Sequence, residues 1–586
     1  MRVNREDYFD AQPLRAASEG LVLVADCRLD NREELAERLG IDAEALATLA
    51  DSALILRAYR EWGGDCAERL LGAFAFALWD ARKRELLIAR DPMGERCVYY
   101  HHSEAVFVFA TEIKALFAVE ETPRRLSERE IGRHLMFQAP GVDGETFFEG
   151  VTFPFGGQTV RVGPQGALET TTYWEPRADP VHIGRDEAYY VATYRRLLTE
   201  AVDCRIRRAI APPALMLSAG FDSAAIAGVA QPRLAAQGRK LLAFSSVLPA
   251  DYVGPHGCVR HWVEACRRVM PHLDVRYFVQ SDENVFSEFE RICEASDAPP
   301  HNLHYLTDAL YLRAAQAGAR VMMDGFGGDL GLNPRLGNVL AHLLRQGRLL
   351  LFIREFAAQL RAGDNTFRRL AIDTTKQLIP DRIKRLKRMF RPPGHARFIA
   401  PRFAAELARS GAINVDDLYL GPRPDLSLHD KMQSALRGWA RNNRRLNANE
   451  AAARGLELTR PLLDQRIVEF ALAVPPEFWI KNGRPRYLAR RALADVYPPQ
   501  FQEREARQDS LEPERHRGLT SVLPRLRAEF RRLAEDPALR RYIDFDALQR
   551  GLDNLEPGSR EAVLVARAVS LAKFVEWMRA GNRTGR

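Results

Sequence analysis

Ala214-Leu215-Met216-Leu217 runs directly into Ser218-Ala219-Gly220-Phe221-Asp222-Ser223, and that loop runs directly into Ala224-Ala225-Ile226-Ala227-Gly228. An apolar strand, a turn of small residues and a helix start leave the chain few choices. The backbone N–H groups of the turn and the positive end of the helix dipole converge on one point, and small side chains let a ligand approach the main chain. The spacing predicts a parallel α/β unit whose loop nests a pyrophosphate group. Ser218 and Ser223 add hydroxyl donors. The loop lacks the Lys of the GxxxxGK[ST] pattern. Asp222 is the informative residue, because a carboxylate beside phosphate is repulsive unless a cation lies between them, and Mg²⁺ is the hard ion that takes both kinds of oxygen.

A second segment repeats the logic. Val321-Met322-Met323 ends in Asp324-Gly325-Phe326-Gly327-Gly328-Asp329. Glycines at a strand end permit close approach, and Asp329 supplies a second carboxylate. In an open parallel sheet both loops lie at the carboxyl ends of strands, where ligands bind. Asp222 and Asp329 are therefore the candidate Mg²⁺ ligands of an ATP site.

The rest of the chain fits two domains. With 586 residues it is too long for one core. In residues 1–180, short apolar runs alternate with turns: Leu21–Val24, Ala73–Trp79, Leu86–Ala89 and Val106–Phe109. The run Ala73–Trp79 reads as a strand buried on both faces. Two helical stretches, Asn31–Leu39 and Ser52–Trp62, complete an α+β layered domain. Pro and Gly from Gly163 to Pro180 mark a boundary. From 186 to 586, strands Ala214–Leu217, Leu241–Val247 and Val321–Met323 alternate with helical patterns such as Tyr311–Gly318. That pattern predicts an α/β parallel sheet, followed by a helical C-terminal part. The apolar run Leu349–Ile353, flanked by Arg348 and Arg354, is too short to span a membrane and reads as part of a buried amphipathic helix. The net charge of +8 is spread along the chain, so no nucleic-acid or membrane partner is indicated. Its densest run, from Lys376 through Lys384, Arg385, Lys387, Arg388 and Arg391 to Arg397, reads as a solvated helix face or a surface for an anionic partner such as an acidic peptide. Seven scattered cysteines without a CxxC pair, and an N-terminus without an apolar signal core, point to a cytoplasmic location.

These motifs together resemble the asparagine synthetase superfamily. Ser218–Ser223 is similar to its SGGxDS pyrophosphate loop, and Asp324–Asp329 to its second nucleotide motif. Leu456-Glu457-Leu458-Thr459-Arg460-Pro461-Leu462-Leu463-Asp464, with Arg466-Ile467-Val468-Glu469-Phe470, resembles its LEARxPFLDxRxVEF stretch. Gly72–Asp80, Ala89–Gly94 and Ala110–Leu116 resemble its glutaminase-like, Ntn-type N-terminal domain. The resemblance implies a class II glutamine-amidotransferase-like domain over 1–180 and an ATP-binding synthetase domain over 186–586. A glutamine-using member begins with a nucleophilic Cys, whereas this sequence begins Met1-Arg2-Val3. Asp26-Cys27-Arg28-Leu29-Asp30-Asn31 stands where relatives carry a glutamine-binding Asn-Gly-Glu. An N-terminal domain inactive as a glutaminase is expected, and the acceptor amine must come from elsewhere. Two branches use such an amine: β-lactam synthetases and lasso-peptide macrolactam synthetases. Ala219, Phe221, the Gly-Phe-Gly-Gly-Asp form and the segment from Asp30 look more like the lasso branch. An asparagine-forming enzyme, or a non-catalytic scaffold of the same descent, remains the alternative.

The resemblance also distributes roles. Ser218, Ala219, Gly220, Phe221, Asp222 and Ser223, with Asp324, Gly325, Phe326, Gly327 and Gly328, are expected at the nucleotide. Phe244, Ser245, Ser246 and Val247 stand where relatives cradle adenine. Arg486 stands in the place of the family's transition-state Lys, with Arg484 as the alternative. Glu457 and Glu450 are candidate proton acceptors, and Arg507–Pro513 resembles a closing loop. The implied partners are a precursor (core) peptide, a leader peptidase and a leader-binding protein.

Overall fold

The computed structural model describes residues 2–136, 143–249, 251, 258–279, 283–301, 303–334, 339–362, 366–379, 397–411, 427–440, 444–504, 518, 522–555 and 560–583. The basic cluster from Lys384 to Arg391 and the stretch Arg507–Pro513 lie outside the described residues.

The N-terminal domain is the layered α+β unit that the sequence predicts. Strands β1 (Leu14–Ala16), β2 (Leu21–Leu29), β3 (Gly72–Asp80), β4 (Glu85–Arg90), β8 (Gln158–Val162) and β9 (Leu168–Thr172) form one sheet in that order. All of its neighbouring strands are antiparallel. A second sheet joins β5 (Tyr99–His102), β6 (Phe107–Ala110) and β7 (Val151–Thr152). Strand β3 explains the layers. Its residues Phe74, Phe76 and Leu78 pack with Leu54 and Ile55 of helix Asp51–Trp62, while Ala75 and Ala77 face Val98, Ile88 and Val160 between the sheets. Period-two alternation sends successive side chains to opposite faces, and both faces are covered. Since β9 reaches Thr172, the linking stretch falls after it. Helix Glu187–Ile206, capped by Asp186 Oδ1 accepting from the Tyr189 N–H at 2.8 Å, opens the next domain.

That domain carries a five-stranded sheet ordered β12 (Leu273–Val279), β11 (Leu241–Val247), β10 (Ala214–Met216), β13 (Val321–Met323) and β14 (Glu457–Thr459). Every pair is parallel. Buried apolar clusters lie on both faces, as expected when helices cover a parallel sheet. The chain runs outward from β10 to β12, then returns to place β13 on the other side of β10. The strand order therefore reverses between β10 and β13, which is the switch point where such sheets open a crevice. Helices Leu523–Ala534, Phe545–Asp553 and Arg560–Arg583 follow and pack against helix Glu128–Leu135 of the first domain. Helix Leu349–Arg361 forms, but its leading residues are not buried as the sequence reading expected: Leu350 is 85% exposed. Phe352 and Phe356 turn inward to Val339, Leu340 and Leu370, so the face with Glu355 and Gln359 is the buried one.

A buried ion-pair network joins the two domains. Glu457, at the start of β14, takes Arg28 of β2 through Oε1 (2.6 Å) and Arg96 through Oε2 (2.9 Å). Arg28 also reaches Asp30 (3.1 Å) and Thr459 Oγ1 (3.1 Å), and Arg205 donates to Thr459 (3.0 Å) and Asp464 (3.2 Å). Burial alone would raise the Glu457 pKa, but Arg96 and Arg28 hold it down to about 2. A carboxylate held that low, with both oxygens engaged, takes no proton from an amine near neutral pH, so Glu457 is a structural residue and not the general base. The partners are Arg28 and Arg96, 429 residues away for Arg28, rather than the nearby Arg460.

Because the folded-state pKa lies below the ordinary 4.5, Glu457 contributes stability above pH 4.5 and loses it as pH falls toward 2. Glu457→Gln is expected to lower stability by about 3 kcal/mol, since it removes the carboxylate that Arg28 and Arg96 share and leaves only Asp30 and Asp26 to offset their charges. Urea unfolding at pH 7 and across the acid range checks both the size and the loss of acid sensitivity.

Candidate nucleotide and acyl-transfer site

The two loops predicted from sequence meet over the switch point. Gly220 caps helix Phe221–Ala235, so the helix dipole opens toward the loop. Ser218 Oγ lies 3.2 Å from Ser223 Oγ and accepts from the Gly220 N–H at 3.3 Å. Ala219 adopts φ +50°, the left-handed region, and its methyl is buried in the core. The glycines of the second loop are there because the loops nearly touch. A Cβ on Gly328 would lie 2.2 Å from Asp222 Cγ, and one on Gly325 would lie 2.9 Å from the Ser223 nitrogen. Gly327, at φ +101°, leaves no room beside Leu463.

A cavity of about 410 Å³ opens at this junction. Ser218, Gly220, Asp222 and Ser223 line one end, with Asp324, Gly325, Phe326 and Asp329 beside them. Phe244 and Ser246 of β11 also face it. Several expected contacts do not. Ser245 and Val247 point to the other face of β11, as strand alternation requires. Ala219 and Phe221 turn into the protein, and Gly327 and Gly328 serve as packing surface for Leu463 and Asp222 rather than as lining. Phe221 has a different task. Its buried ring packs on Tyr497 and Phe501, and the guanidinium groups of Arg486 and Arg490 lie 5.0 and 4.5 Å from its centroid.

Phe221 thus forms the platform on which Arg486 rests. Arg486 Nη2 donates to Asp329 Oδ1 at 2.7 Å and lies 3.9 Å from Asp222 Oδ2. Asp222 Oδ1 accepts from Asn333 at 2.5 Å. Burial works against the Arg486 charge, but Asp222 and Asp329 more than offset it and raise its pKa. Arg484 lies elsewhere, donating to the Gln502 carbonyl. Among the described residues no cluster of three or more His, Cys, Asp or Glu could hold a metal. Two carboxylates converging on one guanidinium still suit Mg²⁺, which is commonly bound by one or two carboxylates plus substrate phosphates and water. Two buried polar atoms have no partner and line this cavity's residues: Ser246 Oγ and Arg486 Nε. Such atoms are expected to meet a ligand, so the pocket fits a polar, anionic nucleotide.

Sequence reasoning missed six polar or charged lining residues, Arg504, Arg460, His301, Asn447, Thr307 and Tyr311. Arg504 stacks on Trp262 at 4.2 Å and donates to the Ala219 carbonyl, buttressing the first loop. Arg460 donates to Asp324 Oδ2 at 3.2 Å and lies over Phe326 at 5.0 Å. His301 and Asn447 close the far side. None belongs to a glycine-rich motif, and each reaches the cavity through tertiary packing alone. Glu450 is buried behind His301 and Asn447, not in the lining. Cys27 lies in β2, where burial and the carboxylates of Asp51, Asp26 and Asp10 push its thiol up, so it is no activated nucleophile.

Gly328→Ala is expected to push Asp222 from its position and weaken Mg²⁺-ATP binding at least about tenfold, because displacements near 1 Å are felt strongly at reacting centres. Calorimetric titration of the wild-type and substituted proteins measures this, with an unchanged circular dichroism spectrum as the control.

Residues 3–174 match a glutamine amidotransferase domain, and residues 193–579 match asparagine synthase. Similar proteins include amidase chyE of Penicillium rubens, 27% identical over 54% of this chain and 48% of its own length. Asparagine synthetase [glutamine-hydrolyzing] 2 of Bacillus subtilis is 24% identical over 54% of this chain and 43% of its own. Asparagine synthetase [glutamine-hydrolyzing] 1 of the same organism is 24% identical over 83% of this chain and 75% of its own. The chain spans about half the length of the first two relatives. With the asparagine synthase match running over more than half of its 586 residues, the chain belongs to the asparagine synthase family.

Proposed function

We propose that this protein is an ATP-dependent amide-bond-forming ligase that activates a carboxylate as its acyl-adenylate. The observation that carries the reading is the pair of acidic loop tips, Asp222 and Asp329, converging with Arg486 on one cavity at the sheet's switch point. A carboxylate is a poor acylating agent because its leaving group is poor, and transfer to AMP makes a mixed anhydride that an amine can open. Gly220 N–H, the helix N-terminus and the Ser218 and Ser223 hydroxyls would bind the pyrophosphate end of ATP. Phe244 and Ser246 would face the base. Asp222 and Asp329 would hold Mg²⁺, which when bound neutralises charge on the triphosphate. Arg486, fixed on the Phe221 ring, would place a guanidinium at the phosphate where charge develops.

The substrate class proposed is a core peptide whose Asp or Glu side chain is joined to its own N-terminal amine, with release of AMP and pyrophosphate. The loop variants Ala219 and Phe221, the Gly-Phe-Gly-Gly-Asp motif and the displaced glutamine segment at Asp26–Asn31 support it. A leader peptidase and a leader-binding protein would act before it. The relatives' names favour a second reading, in which aspartate is the carboxylate and ammonia the amine.

Carboxylate-dependent ATP–pyrophosphate exchange separates these. A synthetic peptide with Gly at its first position and Asp at its eighth is expected to stimulate exchange and to lose the mass of one water on cyclisation. Exchange stimulated by aspartate and by no peptide would establish the second reading. Asp222→Ala is expected to lower exchange with the active carboxylate by about 100-fold or more.

A further inference from the structure

Arg504 lines a second cavity as well as the first. The second, of about 600 Å³, is lined by Arg354, Arg361, Arg484, Arg490 and Arg504, with Glu503 as its one carboxylate. Its walls are helix Leu349–Arg361, the hairpin of Ile480–Lys481 and Arg484–Pro485, and the turn Pro499–Gln502. The hairpin is seated on the helix backbone. Gly483 has φ +75°, and a Cβ there would lie 2.5 Å from the Ala358 carbonyl oxygen. Its N–H donates to Glu355 Oε1 at 3.0 Å. Arg484, the next residue, is thereby held in the same cavity as Arg354 and Arg361 of the helix.

The charges of these arginines are not spent on one another's supports. Buried Arg490 donates to the Arg504 carbonyl at 2.7 Å and to the Pro485 carbonyl at 2.9 Å, and buried Arg504 donates to the Ala219 carbonyl. Bonds to neutral carbonyls fix a guanidinium without cancelling its charge. Arg354, Arg361 and Arg484 are exposed, and among the described residues none of the three forms an ion pair with a carboxylate. Arg361 Nε donates to the Ala357 carbonyl and Arg484 Nη1 to that of Gln502. A guanidinium carries five N–H donors, so each keeps donors for a ligand.

The same helix adds apolar surface. Leu350, Ile353, Arg354, Ala357 and Arg361 follow the spacing of one helix face, opposite Phe352 and Phe356, which pack inward. Leu350 is 85% and Ile353 61% exposed. A small inorganic anion would use the arginines and leave the leucine idle, whereas a peptide bearing carboxylates and apolar side chains uses both. Arg354 and Arg361 stand two helical turns apart, roughly 10 Å, a span that about three extended residues cover.

Resting on the amide-forming reading above, we propose that this cavity and the adjoining Leu350 and Ile353 surface dock an acidic segment of the peptide substrate. Its carboxylates meet Arg354, Arg361 and Arg484, and an apolar side chain covers Leu350 and Ile353. Arg504 belongs to both cavities, so the two adjoin and one chain can occupy both.

The probe is the Gly-first, Asp-eighth peptide extended at its C-terminus by Glu-Leu-Glu-Glu-Leu and labelled for fluorescence anisotropy with the full chain. The extended probe is expected to bind wild type at least about tenfold more tightly than a version with Gln for each Glu, with an advantage that shrinks as salt is raised. The double variant Arg354→Gln, Arg361→Gln is expected to erase that advantage. It should raise the KM for the extended peptide in pyrophosphate exchange and leave the maximal exchange rate and Mg²⁺-ATP affinity at wild-type levels. Leu350→Ser is expected to weaken the extended probe about threefold. Equal binding of the Glu and Gln versions overturns the proposal, and so does wild-type affinity in the double variant. Unchanged binding when Ser replaces both leucines of the probe, with displacement by inorganic pyrophosphate, makes this a site for small anions and overturns the peptide assignment. Tight, arginine-dependent binding without exchange from any carboxylate overturns the amide-forming reading and leaves the docking site standing.

Discussion

The carboxylate of Glu457 fixes the position of an entire sheet edge. Held by Arg28 and Arg96 from the first domain, it anchors the start of β14, a strand of only three residues. The next links follow along the backbone. The Asp324 N–H donates to the Thr459 carbonyl at 3.3 Å, and Arg460, just past β14, takes Asp324 Oδ2. Asp324 opens the second loop, and the glycines of that loop rest against Asp222 of the first. The N-terminal domain is therefore coupled to both loops through one short strand. Whatever chemistry that domain performs, its surface supplies half of the buried network on which the site is set.

Within the site, opposing charges hold one another in place. Arg486 is attracted by both Asp222 and Asp329 and supported from below by the Phe221 ring. An exposed lysine in its place would keep the charge but lose the planar contact with the ring and the forked geometry toward phosphate. Arg504 ties the first loop to Trp262, so an aromatic and guanidinium scaffold surrounds the acidic pair. The far wall is of another kind, lined by the His301 imidazole, the Asn447 amide and the Tyr311 phenol, with the Glu450 carboxylate buried behind it. One cavity thus has an end dense in charged groups and an end lined by polar side chains of lower charge.

The local signals in the chain were strong where a single stretch carried both pattern and consequence. The Ala73–Trp79 run, the strand at Leu241–Val247 and the strand–loop–helix at Ala214–Gly228 are each set by neighbouring residues, and each forms as read. Reading failed where a side chain's fate depended on a distant partner. Phe221 sits in a phosphate-loop motif yet packs away from the cavity, because Tyr497 and Phe501 offer it an apolar seat. Leu349, Leu350 and Ile353 look like core residues, yet the helix docks through Phe352 and Phe356 instead.

The sequence by itself determined the two-domain order, the parallel α/β sheet, and the two glycine-containing loops at its strand ends, because hydrophobic period and glycine placement are local properties of a chain. Only the tertiary structure decided that Glu457 is an anchor, that Arg486 rather than Arg484 meets the aspartates, and that His301 stands before Glu450. Those choices depend on which side chains approach across hundreds of residues of separation, and the burial that decides the charge and partner of each exists only once the layers have packed.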